Sequence, residues 1–331
     1  MTTFHSRKRR TLGLLLGAAL ATASLPSLAE KPAAPDPLRI GFQKYGTLII
    51  LKAKGTLEKR LAPLGVDVKW TEFPAGPQLL EGLNVGSIDF GTVGEAPPIF
   101  AQAAGANLVY VANEPPAPAS EAILVPKDSP IKSVADLKGK KVALNKGSNV
   151  HYLLVKVLEK NGLAYKDVDP VFLPPADARA AFERGSVDAW VIWDPFLAAA
   201  EKQIGARILA DGLGVTANHQ FYLAARPYAD RRPDVVKIVI EEIAKIDEWG
   251  KQNPNEVVAF LAPAIGIEPA AVDLAVSRYA YGVRPISDQV VAEQQKIADT
   301  FYELKLIPKP ISIKEAVWNQ GRAKVAQENP K

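Results

Sequence analysis

The chain has 331 residues, 23% of them charged, and 40 Lys+Arg against 36 Asp+Glu give a formal charge of +4. It carries 27 Pro, 23 Gly, one Met and no Cys. The length predicts two domains, with 48% apolar residues to build their cores. Without Cys there can be no disulfide, Cys-ligated zinc, iron–sulfur cluster or thiol nucleophile.

The excess charge sits at the N-terminus. Arg7, Lys8, Arg9 and Arg10 precede an apolar run from Leu12 to Leu20, and Ser27-Leu28-Ala29 follows. This is the pattern of a secretory signal peptide cleaved after Ala29, so the mature protein is expected in the periplasm. The run is too short to span a bilayer. Arg9-Arg10 leaves twin-arginine export open beside the general route, and the absence of Cys after the run excludes a lipoprotein anchor. Removing residues 1–29 takes away four basic and no acidic residues, leaving 36 of each sign. Nucleic acid is therefore not an expected partner.

Met1 leaves with the same segment, so residues 30–331 contain no sulfur. Ordinary usage would place roughly ten Met and Cys in such a length. One reading is a protein made in quantity when sulfur is scarce. Substitution by drift, or resistance to oxidation, is the alternative.

Glu30–Pro37 reads as an extended, Pro/Ala-rich leader. Leu38–Phe42 and Val66–Trp70 then alternate with period two, as half-buried strands do. Further short apolar runs at 88–91, 108–111, 123–125, 141–144, 171–173, 189–193 and 208–210 are bounded by Gly, Pro or Asp. Helical patches separate them, including Tyr152–Asn161 closed by Gly162. The alternation predicts α/β sheets of parallel type. From Pro233 helices dominate to Trp318, beginning with one that places Val236, Ile240, Ile243 and Ile246 on a face.

An internal repeat runs through this pattern. Gly86-Ser87-Ile88-Asp89 returns as Gly185-Ser186-Val187-Asp188, and at the same spacing Glu95 falls on Asp194. Upstream, Phe73-Pro74-Ala75 corresponds to Leu173-Pro174-Pro175-Ala176 with a one-residue slip. Duplication of one α/β unit accounts for the shared order of features. Two similar lobes would then bind a ligand between them, at the carboxyl ends of their strands.

The loops at those ends are the candidate site. Gln43-Lys44-Tyr45-Gly46-Thr47 opens a helix near Leu48, and its free N–H groups suit an oxyanion, although a plain helix cap explains them as well. Pro74-Ala75-Gly76-Pro77-Gln78, Gly94-Glu95-Ala96-Pro97-Pro98 and Lys146-Gly147-Ser148-Asn149 repeat this arrangement. Trp190 and Trp193 leave one strand on opposite faces, one toward the core and one toward the cleft. Glu95 and Asp194 would form an acidic pair across that cleft. Catalytic motifs are missing: there is no Gly-x-Ser-x-Gly elbow, His-Glu-x-x-His or Walker loop, and only His151 and His219 remain after residue 29. A binding protein, without metal or cofactor, is expected rather than an enzyme.

At the same loops the chain resembles the aliphatic sulfonate-binding proteins of ABC importers. The resemblance rests on Gln43–Thr47, Glu72–Glu81, Gly94–Pro98, Asp136–Ala143, Asn145–His151, Phe172–Arg179 and Val191–Pro195, and covers roughly residues 38–321. It implies a two-lobed type II periplasmic binding fold, each lobe a mixed α/β sheet with flanking helices and the ligand cleft between them. Lobe 1 would comprise 38–122 and 221–321, lobe 2 would comprise 123–220, and the crossings would lie near Ser120–Leu124 and His219–Leu223. It further implies a monomer that closes on an alkanesulfonate and presents it to a membrane permease. A sulfonate would meet donors near Gln43, Tyr45, Gly46, Thr47, Gly76, Gly94, Ser148 and Asn149. Lys44, Arg179 and His219 would add charge or hydrogen bonds, Trp193 would line the alkyl side, and Glu95, Asp177 and Asp194 complete the candidate loops. Taurine, another oxyanion or a thiamine precursor would fit the same fold.

Overall fold

A computed structural model describes residues 37–319 of the chain, so the expected signal segment and cleavage point lie outside the described residues. Ten strands build two five-stranded sheets. The first has the order β2-β1-β3-β10-β4, from β1 (Leu38–Phe42), β2 (Val68–Glu72), β3 (Phe90–Gly94), β4 (Leu108–Asn113) and β10 (Gln220–Ala225). The second has the order β7-β6-β8-β5-β9, from β5 (Glu121–Val125), β6 (Lys141–Leu144), β7 (Asp169–Phe172), β8 (Ala189–Trp193) and β9 (Arg207–Asp211). Both sheets are mixed: three parallel strands, then one antiparallel strand, β10 or β5, then a fifth.

The expected duplication is visible as geometry. Asp89 accepts from Arg39 N at 2.9 Å, and Asp188 accepts from Lys141 N at 2.8 Å. The reverse bonds run from Asp89 N to Arg39 O and from Asp188 N to Lys141 O. Both bonds tie the entrance of the third parallel strand to that of the first. Gly86 and Gly185 have φ of +72° and +69°, which is why each unit needs glycine after its helix. Even the register shifts match, between Tyr222 and Leu223 in one antiparallel strand and Ile123 and Leu124 in the other.

Helices α1 (Gly46–Lys54), α2 (Thr56–Leu61), α3 (Gly76–Asn84) and α4 (Pro97–Ala103) follow the first three strands. The second sheet carries α5 (Asn149–Lys160), α6 (Pro175–Glu183) and α7 (Phe196–Ile204). The C-terminal region contains α8 (Arg226–Arg231), α9 (Pro233–Gln252), α10 (Pro254–Ile265), α11 (Pro269–Ser277) and α12 (Asp288–Glu303). Proline at the first or second position starts α3, α4, α6 and α8 to α11, where its missing N–H costs no helical bond. One apolar cluster joins the first sheet to α1, α2, α9 and α10, a second joins its other face to α3, α4 and α12, and a third fills the second sheet.

The strands expected at 38–42, 141–144 and 189–193 have those bounds. Three readings need correction. The tight helix expected from Tyr152 starts earlier, at Asn149. The buried face of α9 uses Val235 and Val239 besides Val236, Ile243 and Ile246, whereas Ile240 is half-buried. The crossings from one sheet to the other occupy 114–120 and 212–219, so the segments expected at Ser120–Leu124 and His219–Leu223 are mainly the antiparallel strands themselves.

Candidate functional site

The carboxyl ends of the parallel strands bound a cavity lined from both sheets. Tyr45, Gly46 and Glu114 come from loops of the first sheet, with Gln220 opening β10. Asn149, Trp193 and Asp194 come from the second. Ser120 and Asn218 lie at the crossings, and Tyr279–Tyr281 close the cavity from the segment after α11. An adjoining cleft shares Tyr45 and Trp193 and adds Gln43, Lys44, Glu72 and Phe196.

Gly46 opens α1 with φ +73°, a conformation that favours glycine, after an extended Tyr45 that makes no side-chain cap. The helix therefore directs uncapped backbone N–H groups toward the cavity wall. Tyr45 donates its hydroxyl hydrogen to Gln220 Oε1 at 2.6 Å, and burial pushes its pKa up. Thr47 turns inward, donating to Asp247 Oδ1 at 2.6 Å with Glu114 Oε1 at 3.3 Å. Gln43 is buried and donates to Thr92 O at 3.1 Å, while Lys44 lies 3.8 Å from Glu72 in the adjoining cleft.

Across the cavity Asn149 spends both amide hydrogens, on Asn218 Oδ1 at 2.7 Å and Glu121 Oε2 at 3.2 Å. Ser148 donates to Asn145 O at 2.7 Å and is not among the residues lining this cavity. The two tryptophans do diverge: Trp190 is buried against Phe182, and Trp193 lines the cavity. Asp194 accepts from Ala198 N at 3.0 Å and lies 3.4 Å from Arg278, which also reaches Glu201 at 2.8 Å. Burial pushes Asp194 up to about 6, with Arg278 opposing.

The expected Glu95–Asp194 pair is not what the structure contains. Glu95 is fully buried, accepts from His219 N at 3.1 Å, and feels the Glu121 carboxylate instead. Burial and that neighbour both push its pKa well up. Gly76 lets α3 meet α4, since a Cβ there would lie 2.8 Å from Pro97 Cγ. The His219 ring nitrogens lie 2.9 Å from Glu114 O and 3.2 Å from Glu293 Oε2, behind the cavity wall. Arg179 donates to Glu183 at 2.7 Å and Gln203 at 3.0 Å, and Asp177 is exposed on the same helix. Neither lines the cavity, because α6 turns both positions away from it.

Sequence reasoning missed Glu114, Ser120, Asn218, Gln220 and the Tyr279–Tyr281 segment. The last lies in a region read as helical, although Tyr-Ala-Tyr-Gly after an arginine breaks helical periodicity and could have been noticed.

Burial pushes Glu114 up to about 8, aided by Asp247, and pushes Glu121 up to about 7. The site thus combines aromatic walls, amide and hydroxyl groups and buried carboxyls whose pKa values burial raises. Among the described residues, no group of three or more His, Cys, Asp or Glu is placed to hold a metal ion.

Residues 62–257 match the family model described as NMT1/THI5 like. A protein of Escherichia coli (strain K12) described as aliphatic sulfonates-binding is 45% identical over 94% of this chain and 97% of its own. The alkanesulfonate-binding protein SsuA from Xanthomonas axonopodis pv. citri, solved bound to MOPS, is similar in structure, with 46% identity and a TM-score of 0.82 over 86% of this chain and 99% of that one. The periplasmic aliphatic sulphonate binding protein SsuA from Escherichia coli is also 46% identical, with a TM-score of 0.78 over 86% and 98% of the two chains.

Proposed function

This chain belongs to the aliphatic sulfonate-binding proteins, and from that membership we propose that it captures aliphatic sulfonates in the periplasm and hands them to the permease of an ABC importer for sulfur supply. The observation that carries the reading is the cavity where Tyr45 and Gly46 of one sheet face Asn149 and Trp193 of the other. The α1 N-terminus, with its uncapped N–H groups, suits the oxyanion head. Trp193 suits the alkyl tail.

In this reading the first sheet with its helices forms lobe 1, the second sheet with its helices forms lobe 2, and the segments 114–120 and 212–219 between them act as hinges. The protein works as a monomer without turnover, after removal of residues 1–29. Absence of sulfur from residues 30–331 fits synthesis under sulfur limitation. Calorimetric titration of residues 30–331 with C2–C8 alkanesulfonates, taurine, sulfate and nitrate tests the assignment. Micromolar binding of alkanesulfonates without product formation supports it, and no binding of any sulfonate overturns it. A zwitterion such as taurine is the second reading, because the Asp194 carboxyl lines the cavity. Arg278 already answers that charge, so the plain alkanesulfonate is favoured.

A further inference from the structure

We infer that anion capture in this cavity requires Glu114 to be protonated, with the Tyr279 and Tyr281 hydroxyls as hydrogen-bond donors to the oxyanion. The inference rests on the reading of the cavity as the sulfonate site and adds how an anion is tolerated there.

Among the described residues that line the cavity there is no lysine, arginine or histidine. Arg278 is already held by Asp194 and Glu201, and Lys44 stands beside Glu72 in the adjoining cleft. A buried anion must then be received by neutral donors. The Tyr281 hydroxyl is buried and has no partner. Gly46 N–H is directed at the Tyr279 oxygen, too loosely to count as a hydrogen bond, and nothing accepts that hydroxyl's own hydrogen. Buried hydroxyls are seldom left without a partner, so a ligand oxygen is the natural acceptor.

Glu114 faces the same space and, when ionised, would repel an anion. Its surroundings favour a proton on it. Tyr222 Oη contacts Glu114 Oε1, Thr47 Oγ1 lies 3.3 Å from that oxygen, and Thr47 Oγ1 lies 2.6 Å from Asp247 Oδ1. Two buried carboxyls thus share the one Thr47 hydrogen, and a proton on either relieves their mutual repulsion. Asp247 already receives Gly282 N at 3.2 Å and Val283 N at 2.8 Å on its other oxygen, which suits its ionised form. The proton is assigned to Glu114. The groups packed around it are Thr47 from α1, Tyr222 from β10, Asp247 from α9, the His219 ring at the Glu114 carbonyl oxygen, and Tyr45 and Tyr281, whose phenols burial keeps protonated. Burial and the Asp247 carboxylate push Glu114 up to about 8, with the Tyr222 and Thr47 hydroxyls opposing. Asp194 and Glu121 ionise lower, near 6 and 7, whereas Glu95 is also pushed well up, so the slope is assigned to Glu114 by its loss in Glu114→Gln.

The experiment is titration of residues 30–331 with 1-pentanesulfonate from about pH 6.5 to about pH 9.5, a range in which the sulfonate itself stays ionised. The expected result is affinity falling by up to about tenfold per pH unit above pH 8 in the wild type, against a nearly flat profile in Glu114→Gln. Tyr279→Phe and Tyr281→Phe each lose about tenfold at neutral pH and keep the slope. If Glu114→Gln does not fold, wild-type titrations at about pH 8.5 in two buffers of different ionisation enthalpy decide the matter, since binding must take up most of one proton. A wild-type profile without slope, an equal slope in Glu114→Gln, or binding without proton uptake overturns the inference alone. No binding of any alkanesulfonate at any pH overturns the reading of the site, and the inference with it.

Discussion

Gly94 at the end of β3 and Asn149 at the start of α5 touch across the two sheets so closely that a Cβ on Gly94 would lie 2.3 Å from Asn149 Oδ1. No real Cβ is seen at that distance, and the obstacle is an amide already anchored to Glu121 and Asn218. Gly94→Ala must therefore displace Asn149 or part the two loops. We expect sulfonate affinity to fall at least about tenfold, a cost of about 1.4 kcal/mol. Thermal stability should change little, because the clash lies between the lobes and not within either core. Calorimetric titration beside a melting curve checks both statements, and unchanged affinity would refute the first.

Arg278 is a second point of contact between distant chain segments, reaching Asp194 and Glu201 from the end of α11. Arg278→Ala leaves Asp194 buried without a cation. Such orphaned charges typically cost about 3–5 kcal/mol, unless the carboxyl takes a proton. Asp194 is at about 6 with Arg278 opposing the rise, so without that cation it takes a proton at a higher pH. The expected outcome in urea unfolding is therefore a loss that is largest at alkaline pH and recovers in part as the pH falls through neutrality. An equal loss across that range would argue against the pairing.

Stability should fall as the pH rises from about 6.5 to about 8.5. Glu114 and Glu121 have folded-state pKa values raised to about 8 and about 7, so the folded chain holds more protons than the unfolded one in this window. The slope of unfolding free energy with pH is then negative, at most about 1.4 kcal/mol per unit for each group. His151 acts oppositely but lower: burial depresses it to about 4, and its penalty disappears once the unfolded imidazole is neutral, above about 6.5. Calorimetric melting across the window should show the decline, with Glu121→Gln removing part of it. A flat profile would contradict the assigned burial.

Trp193 lines both the cavity and the adjoining cleft, the direction a longer chain would take. Wild-type affinity should rise with alkyl length by up to about 0.8 kcal/mol per methylene. Trp193→Ala should flatten that dependence while affecting ethanesulfonate least. Equal losses for C2 and C8 ligands would assign Trp193 to the core instead.

Much of the architecture could be read from the chain because it is written twice. The Gly-Ser-x-Asp pair identified two units whose aspartates make the same backbone bonds, and β1, β6 and β8 were bounded by turn residues that left little choice of ends. β10 escaped notice because Gln220–Ala225 has no Gly or Pro at its ends, and its partners lie more than 100 residues away. The site was half legible. Loops after strands led to Tyr45, Gly46, Asn149, Trp193 and Asp194, since sheet topology alone brings these to one edge. Arg179 and Asp177 share a motif with that edge, but helical rotation carries them elsewhere. Glu114 and Tyr279–Tyr281 depend on how the crossing segment and the C-terminal helices fold back, which no local pattern encodes.

The gap that β10 fills has a consequence for how the chain acquires its shape. Emerging from its N-terminus, the polypeptide delivers β1 to β4 early, but β3 and β4 have no bond to each other until residues 220–225 arrive between them. The second sheet, completed by β9 at Asp211, can thus form before the first is whole. Contacts of such long separation form slowly, so the early segment stays unfinished until about two thirds of the chain has emerged. A polypeptide that must cross a membrane unfolded would gain time from that delay, written into nothing more than the order of its strands.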